Sequence, residues 1–283
     1  MSAFGVLLSA PADSETCTEI GSHLGNGCQF PAPTAAIFDW APLATYHLFG
    51  VPIEVTKPAI LLAIGTVLIL AFFFVAFRKP ALVPSRTQSL GELGYTFVRD
   101  QISREVIGKD GDKYVPFLVS LFFFVWVMNL FSIIPGAQFP VTSRFAFPVG
   151  LALVIWVLYM FLGMKKQGPI KFFTNFMFPP GLPKPIYVIL APIELLSNVI
   201  VRPFTLAVRL FANMFAGHLL ITIFSVGAWY LAGPQVLGWI GATGSFAMTV
   251  ALSGFEMFIQ FLQAFIFTLL TAVYIGGSLH AEH

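Results

Sequence analysis

A stretch of the sequence places ionisable and polar side chains inside a long apolar run. Arg202, Arg209, Asn213 and His218 all lie between residues 202 and 218. An arginine keeps its proton at any accessible pH, so burial cannot neutralise it. At mid-bilayer it costs about 2.5–3.5 kcal/mol on insertion scales, and such a residue is by default a functional candidate. The alternative for Arg209 is structural: a side chain that snorkels or joins two helices.

Two further side chains, His218 and Glu256, could take up and release a proton. Histidine titrates near neutrality, and a close histidine–carboxylate pair titrates as a unit. For His218 alone, an interhelical hydrogen bond explains the residue equally well. The sequence has no glycine-rich phosphate loop, nucleophile elbow or metal-ligand cluster. These residues therefore indicate ion movement rather than catalysis, with no cofactor and no metal.

The composition defines the surroundings of these groups. The chain has 283 residues, of which 57% are hydrophobic and only 10% charged, whereas a soluble domain has about 25% charged residues. We therefore predict a polytopic membrane protein. The basic residues lie mainly in segments 78–113 and 165–184, which the positive-inside rule places in the cytoplasm. They flank apolar spans in short loops, which excludes a nucleic-acid surface.

Three apolar runs have the length of single membrane spans, namely 58–77, 114–134 and 145–164. Two further runs are much longer. Residues 186–231 would form a helix of about 69 Å and residues 236–278 one of about 65 Å. Neither run has a charged, turn-rich connector at its middle. We predict an all-α protein with about five membrane helices, the last two long and strongly tilted, with a bend at Pro203.

The predicted organisation is an irregular external segment, 1–57, followed by a helical membrane domain, 58–283, with inner loops 78–113 and 165–185. The five prolines of loop 165–185 predict no regular structure there. Loop 78–113 is predicted to form an amphipathic helix whose apolar face consists of Leu90, Leu93, Phe97, Val98 and Ile102. The N-terminus would lie outside and the C-terminus in the cytoplasm. Cys17 and Cys28 both fall in the external segment, where they could form a disulfide or remain two separate thiols.

The polar residues of the first long helix change face along its length. At about 100° per residue, one face of its first half collects six polar side chains, which are Glu194, Asn198, Arg202, Thr205, Arg209 and Asn213. After Arg209 the polar face reverses to His218, Thr222 and Ser225. A single straight pore would keep one face, so the reversal favours two separate polar pockets, one reached from each side.

The last helix carries a polar stripe confined to a sector of about 80°. Its members are Ser245, Thr249, Ser253, Glu256, Gln260, Gln263, Thr271 and Tyr274. Ser and Thr alone could be satisfied by their own backbone carbonyls, so the glutamate and the two glutamines carry the argument. The alternative is a hydrogen-bonded seam between helices.

Two motifs on the last two helices resemble a known family. The run Arg209-Leu-Phe-Ala-Asn-Met-Phe-Ala-Gly-His218, together with Leu262-Gln-Ala-Phe-Ile-Phe-Thr-Leu-Leu-Thr-Ala-Val-Tyr274, resembles subunit a of the F-type ATP synthases. The resemblance covers roughly residues 58–280. It implies a non-catalytic, proton-conducting stator subunit of the bacterial plasma membrane. The implied partners are a ring of small hairpin subunits that each bear a carboxylate (subunit c), the peripheral stalk subunit b and membrane lipid.

The resemblance also implies roles for individual residues. Arg209 would face the ring and separate two offset half-channels. His218 and Glu256 match the family's ionisable pair, and Asn213 and Gln263 match its asparagine and glutamine. The implied proton path comprises Arg209, Asn213, His218, Glu256, Gln260 and Gln263, with an inner half-channel of Glu194, Asn198, Arg202 and Thr205 and an outer one of Thr222, Ser225 and Ser253. Glu194 lies one residue further from Pro203 than the family pattern leads us to expect.

An ion-coupled secondary transporter is the alternative from another functional class. Such proteins often contain inverted repeats and helices broken by glycine or proline at mid-membrane. We find no internal repeat, and the region around Arg209 is not rich in glycine. The His218–Glu256 pair favours protons over sodium as the ion.

Overall fold

A computed structural model describes residues 33, 44–48, 51–78, 81, 83–134, 137, 141–177, 187–232 and 236–279. Helices α1 (Lys57–Phe77), α2 (Arg86–Val98), α3 (Arg104–Val106), α4 (Val115–Leu130) and α5 (Ala146–Gln167) are followed by α6 (Pro169–Met177), α7 (Tyr187–Leu196), α8 (Arg202–Leu231) and α9 (Val236–Leu279). Five-residue π-helical segments, Arg99–Ser103 and Ser197–Val201, follow α2 and α7. Short 3-10 helices cover Lys109–Lys113 and Val141–Ser143.

The predicted helical membrane architecture is confirmed. Among the residues that the structure describes, four helical stretches are long and apolar enough to cross a bilayer, and they are Lys57–Phe77, Ala146–Gln167, Ile189–Leu231 and Val236–Leu279. The predicted span 114–134 forms the shorter helix α4, of 16 residues, and the chain turns after Leu130. The last two regions are continuous helical stretches of 43 and 44 residues, as the absence of a connector indicated. Their tilt remains a prediction.

Two parts of the predicted organisation are wrong. Residues Ala44–Leu48 and Val51–Val55, in the segment predicted to be irregular, form strands β1 and β2 of an antiparallel pair. The inner loop 165–185 contains helix α6, although its prolines predicted no regular structure. Pro169 occupies the first position of the helix. Proline is tolerated there because the backbone N–H at that position makes no hydrogen bond within the helix in any case. Cys17 and Cys28 lie outside the described residues.

The chain divides into two compact units. One, here called the arginine unit, comprises residues 62–128, 144–212 and 261–283. Its core packs α2, α4, α5, α8 and α9 through buried side chains that include Val98, Leu118, Ile155, Leu210 and Phe267. Of the apolar face predicted in loop 78–113, Val98 and Ile102 are buried in this core, whereas Leu90 and Leu93 are exposed.

The other, here called the glutamate unit, comprises residues 1–61, 129–143 and 213–260. Within it, α8 and α9 approach closely at glycines. A Cβ atom on Gly217 would lie 3.4 Å from Glu256, one on Gly227 would lie 3.5 Å from Ser245, and one on Gly241 would lie 3.2 Å from Leu231. The contact positions on α9 run backwards, from Glu256 to Ser245 to Gly241, as those on α8 run forwards from Gly217 to Gly227 to Leu231. The two helices are therefore antiparallel here. Small residues at such contacts let two membrane helices approach each other.

Candidate functional site

The carboxyl group of Glu256 is the centre of a buried hydrogen-bond network in the glutamate unit. The Ser132 hydroxyl donates to Glu256 Oε1 at 3.0 Å, and Gln260 Nε2 donates to the same oxygen at 3.2 Å. Gln260 Nε2 also donates to Ser132 Oγ at 2.6 Å. Glu256 is only 4% exposed and Gln260 is fully buried. The second carboxyl oxygen, Oε2, is buried and has no hydrogen-bond partner among the described residues.

Helix geometry brings these three residues together. Glu256 and Gln260 are one turn apart on α9, so their side chains share a face. Ser132 comes from the turn after α4, where its backbone N–H donates to the carbonyl of Asn129 at 3.0 Å. The Asn129 side chain is fixed in turn, because its Oδ1 accepts from the Thr142 hydroxyl at 2.7 Å. The turn is thus anchored, and it presents the Ser132 hydroxyl to Glu256.

His218 lies on α8 immediately after Gly217, the residue whose Cα faces the Glu256 carboxyl group. The predicted histidine–glutamate pair therefore belongs to one helix pair of one unit. The ammonium group of Lys57, at the start of α1, is near enough to act electrostatically on the His218 imidazole. A second ionisable group thus accompanies His218.

Several hydroxyls predicted to line a channel are bonded within their own helix. The hydroxyl of Thr222 donates to the carbonyl of His218 at 2.7 Å, and that of Ser253 donates to the carbonyl of Thr249 at 2.8 Å. Thr205 and Thr271 make the same type of bond one turn back. Each hydroxyl proton is thus used in a hydrogen bond to a backbone carbonyl, and each hydroxyl oxygen can still accept another hydrogen bond.

A second cluster of polar groups lies in the arginine unit, around the π-helical segment Ser197–Val201. Asn198 is buried, and its Nδ2 donates to the Glu194 carbonyl at 2.9 Å and to Glu194 Oε2 at 3.1 Å. Glu194 and Asn198, predicted to share a face, are therefore in direct contact. The π-helical segment, which contains Asn198, separates Glu194 from Arg202, so the uniform angle per residue assumed for this helix does not hold across it.

Pro203 provides a physical reason for the π-helical turn and for the position of Tyr159. The backbone N–H of Arg202 donates to the carbonyl of Ser197, five residues back. The next donor in that pattern would be residue 203, but proline has no N–H. The carbonyl of Asn198 is left without that donor, and the Tyr159 hydroxyl donates to it at 2.7 Å. The π turn ends just before Pro203, and the bend at Pro203 stays a prediction.

Arg202 is held by an aromatic ring. Its guanidinium lies 5.3 Å from the centroid of Tyr274 on α9, within the range of a cation–π interaction. The Tyr274 ring also lies 5.6 Å from that of Tyr159. Arg202 therefore belongs to the same cluster as the π-helical turn.

Arg209 has no such aromatic partner among the described residues of its own unit. On α8 the core-facing side is formed by Leu206, Ala207 and Leu210, all buried, whereas Thr205 and Ala212 are exposed. Arg209 is half-buried between these two sides. The structure gives its guanidinium no hydrogen bond or ion pair with the described residues of its own unit. Asn213 is exposed and Gln263 is buried.

Sequence reasoning missed Ser132, Tyr159, Gly217 and Lys57. Nothing in the local pattern marks Ser132 or Tyr159, because each acts on a residue far away in the chain. Gly217 could have been suspected as a close-packing residue in an apolar helix. Among the described residues there is no group of three or more His, Cys, Asp or Glu that could hold a metal ion.

The fold and the buried polar clusters define a multi-pass, all-α membrane protein with ionisable groups on its long helices. The chain belongs to the ATP synthase A chain family, whose pattern matches residues 59–276. It is 45% identical over 282 residues to ATP synthase subunit a of Streptomyces lividans, with 99% of each chain covered. It is 43% identical to the Nocardioides sp. subunit, covering 84% of this chain and 88% of the relative, and 44% identical to that of Frankia alni, covering 90% and 88%.

Proposed function

We propose that this chain is the proton-conducting stator subunit of a rotary ATP synthase and has no active site of its own. One observation carries the proposal within the family: Arg209 is a half-buried cation on a long apolar helix, without a counter-ion among the described residues of its unit. An unpaired charge in a membrane helix is costly. A carboxylate supplied by another subunit would offset that cost.

The partner that fits Arg209 is a ring of small hairpin subunits (subunit c), each with one membrane carboxylate. Arg209 attracts each arriving carboxylate, keeps it ionised and stops protons crossing directly between the two half-channels. The exposed positions Thr205 and Ala212 are small, so a neighbouring helix can approach the α8 backbone on this side. The peripheral stalk subunit b and lipid cover other surfaces of the chain.

The two polar clusters correspond to the two half-channels in this proposal. The cluster of Glu194, Asn198 and Arg202, with Thr205, lines the inner one. His218, Glu256 and Gln260, with Thr222, Ser225 and Ser253, line the outer one. The π-helical turn supports the assignment of Glu194, because a π bulge accommodates one additional residue, and Glu194 is one residue further from Pro203 than expected. Asn213 and Gln263 complete the path beside Arg209.

The energetics agree with a rotary role. A proton that crosses 100 mV releases about 2.3 kcal/mol, so several protons are needed for each ATP. A ring that is loaded with one proton at a time can combine the energy of several protons for each ATP, whereas a single-step pump cannot. In this role the chain lies in the bacterial plasma membrane, with its N-terminus outside and its C-terminus in the cytoplasm, as the positive-inside rule predicts.

The test of Arg209 uses ATP-driven proton pumping by the whole complex in inside-out vesicles. Arg209→Ala should abolish pumping while the complex still assembles. Arg202→Ala is the matched control on the same helix, and it should retain a measurable part of the flux because its charge interacts with Tyr274. An assembled Arg209→Ala complex that pumps at the wild-type rate would refute the proposal.

The partner is tested by cysteine cross-linking after Cys17 and Cys28 are replaced by serine. Cysteines at Thr205 and Ala212, which are exposed, should cross-link to a small ring-forming subunit that carries its own engineered cysteine. A cysteine at Ala207, which is buried in the core, should not. Equal labelling of all three positions would contradict a specific ring-facing side, and a transporter would yield no ring subunit at all.

A further inference from the structure

We infer that Ser132 and Gln260 fix one oxygen of the Glu256 carboxyl group, Oε1, so that the other oxygen, Oε2, is the atom that gains and loses the proton. Ser132 is a positioning residue in this inference, which rests on the proposed proton path. The sequence singled out Gln260 as a member of the polar stripe, but it gave Ser132 no role.

The first step is the asymmetry of the carboxyl group. Oε1 accepts two hydrogen bonds, from the Ser132 hydroxyl at 3.0 Å and from Gln260 Nε2 at 3.2 Å. Oε2 is buried without a hydrogen-bond partner among the described residues. A carboxylate oxygen in such a place is costly to leave unsatisfied. Binding a proton at Oε2 for part of a cycle neutralises the carboxylate and lowers this cost.

The second step follows from what protonation does to the two oxygens. A proton added to Oε2 makes that oxygen a hydroxyl donor, and Oε1 becomes the carbonyl oxygen, which still accepts hydrogen bonds. Both donors to Oε1 can therefore stay in place in the charged and the neutral state. The side chain need not rotate when it is loaded or unloaded, and the proton enters and leaves at one fixed atom.

The third step is the rigidity of the donors. Gln260 Nε2 donates to Ser132 Oγ at 2.6 Å as well as to Glu256. The serine hydroxyl thus accepts one hydrogen bond and donates one, which fixes the direction of its proton towards Glu256. Ser132 is only 6% exposed and Gln260 is fully buried, so neither donor has competing solvent. A pre-oriented pair of donors holds the acceptor geometry without reorganisation.

The test compares Ser132→Ala and Ser132→Thr in the complete complex, with ATP-driven proton pumping in vesicles as the readout. Ser132→Ala should lower the pumping rate about three- to tenfold, the effect of one lost hydrogen bond. Ser132→Thr keeps the hydroxyl and should retain more than half of the wild-type rate. Ser120→Ala is the control, because the exposed Ser120 hydroxyl donates only to the Pro116 carbonyl on its own helix.

Amounts of assembled complex and ATP hydrolysis are measured for each variant, so that a folding defect is not read as a pumping defect. Wild-type pumping by assembled Ser132→Ala would overturn the inference. So would equal losses in Ser132→Ala and Ser132→Thr, since the hydroxyl would then not be the cause. Glu256→Gln separates this inference from the proposed function. If Glu256→Gln also pumps normally, the assigned proton path is wrong. If Glu256→Gln stops pumping but Ser132→Ala pumps at the wild-type rate, only the role of Ser132 is refuted.

Discussion

Gly217 on α8 lies against the carboxyl group of Glu256 on α9, at a distance at which a methyl group would be in van der Waals contact. A Cβ atom on residue 217 would lie 3.4 Å from Glu256 Cδ and 3.6 Å from its Oε1. A small residue at position 217 therefore lets the helix bearing His218 lie close to the helix bearing Glu256. A methyl group would make an ordinary contact there, and a longer side chain would displace the carboxyl group.

We expect Gly217→Ala to retain most proton pumping and Gly217→Leu to lower it at least tenfold. The leucine must either push the two helices apart or move the Glu256 carboxyl away from Ser132. Pumping in vesicles, normalised to assembled complex, is the measurement. Gly150→Leu is the control, because a Cβ atom on Gly150 would meet no described heavy atom within 4 Å. Normal pumping by Gly217→Leu would show that the close approach is not required.

We expect Tyr159→Phe to destabilise the chain by about 1–3 kcal/mol, because the Asn198 carbonyl would lose its hydrogen bond in a buried place. The change leaves the aromatic packing intact. The measurement is the temperature at which half of the purified complex releases this subunit. Tyr114→Phe serves as the control, since the structure shows no hydrogen bond of the Tyr114 hydroxyl within the described residues. Equal effects of the two changes would contradict the role assigned to Tyr159.

The contact between Arg202 and Tyr274 should depend on the ring and not on the hydroxyl. Tyr274→Phe should leave thermal stability nearly unchanged, whereas Tyr274→Leu should cost about 0.5–2 kcal/mol. A double-mutant cycle with Arg202→Gln tests the pair directly: the two losses should not add. Additive losses would mean that the guanidinium and the ring act independently.

An exposed ion-pair cluster outside the membrane spans gives a pH prediction. Arg104 donates to both carboxylate oxygens of Asp112 at 2.9 Å, and this bond lowers the pKa of Asp112 below its ordinary value. A lowered pKa means that the pair stabilises the fold at neutral pH and that this stabilisation is lost as the pH falls through the lowered pKa.

Asp112→Asn should therefore increase hydrogen exchange in residues 99–113 at pH 7. In the wild-type chain, protection corrected for the intrinsic exchange rate should be the same at pH 5 and pH 7, since Asp112 remains charged at both. A salt concentration of about 1 M should weaken the protection, because exposed pairs are screened. If Asp112→Asn exchanges like the wild type, the cluster does not order this segment.

The lengths of the apolar runs were sufficient to predict the helical membrane fold. The absence of a connector within 186–231 and 236–278 correctly indicated two continuous helical stretches, because an apolar run without turn residues satisfies its backbone as helix. The strands in residues 44–55 escaped prediction, since the segment's glycines, prolines and hydroxyl residues suggested irregular structure. Helix α6 escaped because its prolines were read as helix breakers, although Pro169 lies at the helix start.

The candidate site was predictable only where its residues shared one helix. Glu256 and Gln260 follow a helical period, so sequence spacing could place them on one face. Ser132 is separated from Glu256 by 124 positions, and no local pattern reports such a contact. The π-helical turn involves Pro203 together with the hydroxyl of Tyr159, which lies on a different helix, α5. The role of Arg209 as a ring-facing charge remains a prediction that the cross-linking experiment decides.

The π-helical turn Ser197–Val201 has a consequence for how this chain can vary. A uniform α-helix turns every residue beyond an insertion by about 100°, so one added residue in α7 would point Arg209 in a new direction. A π turn takes up one surplus residue. The helix before Ser197 can therefore hold one residue more than a uniform α-helix while the side chain of Arg209 keeps its direction.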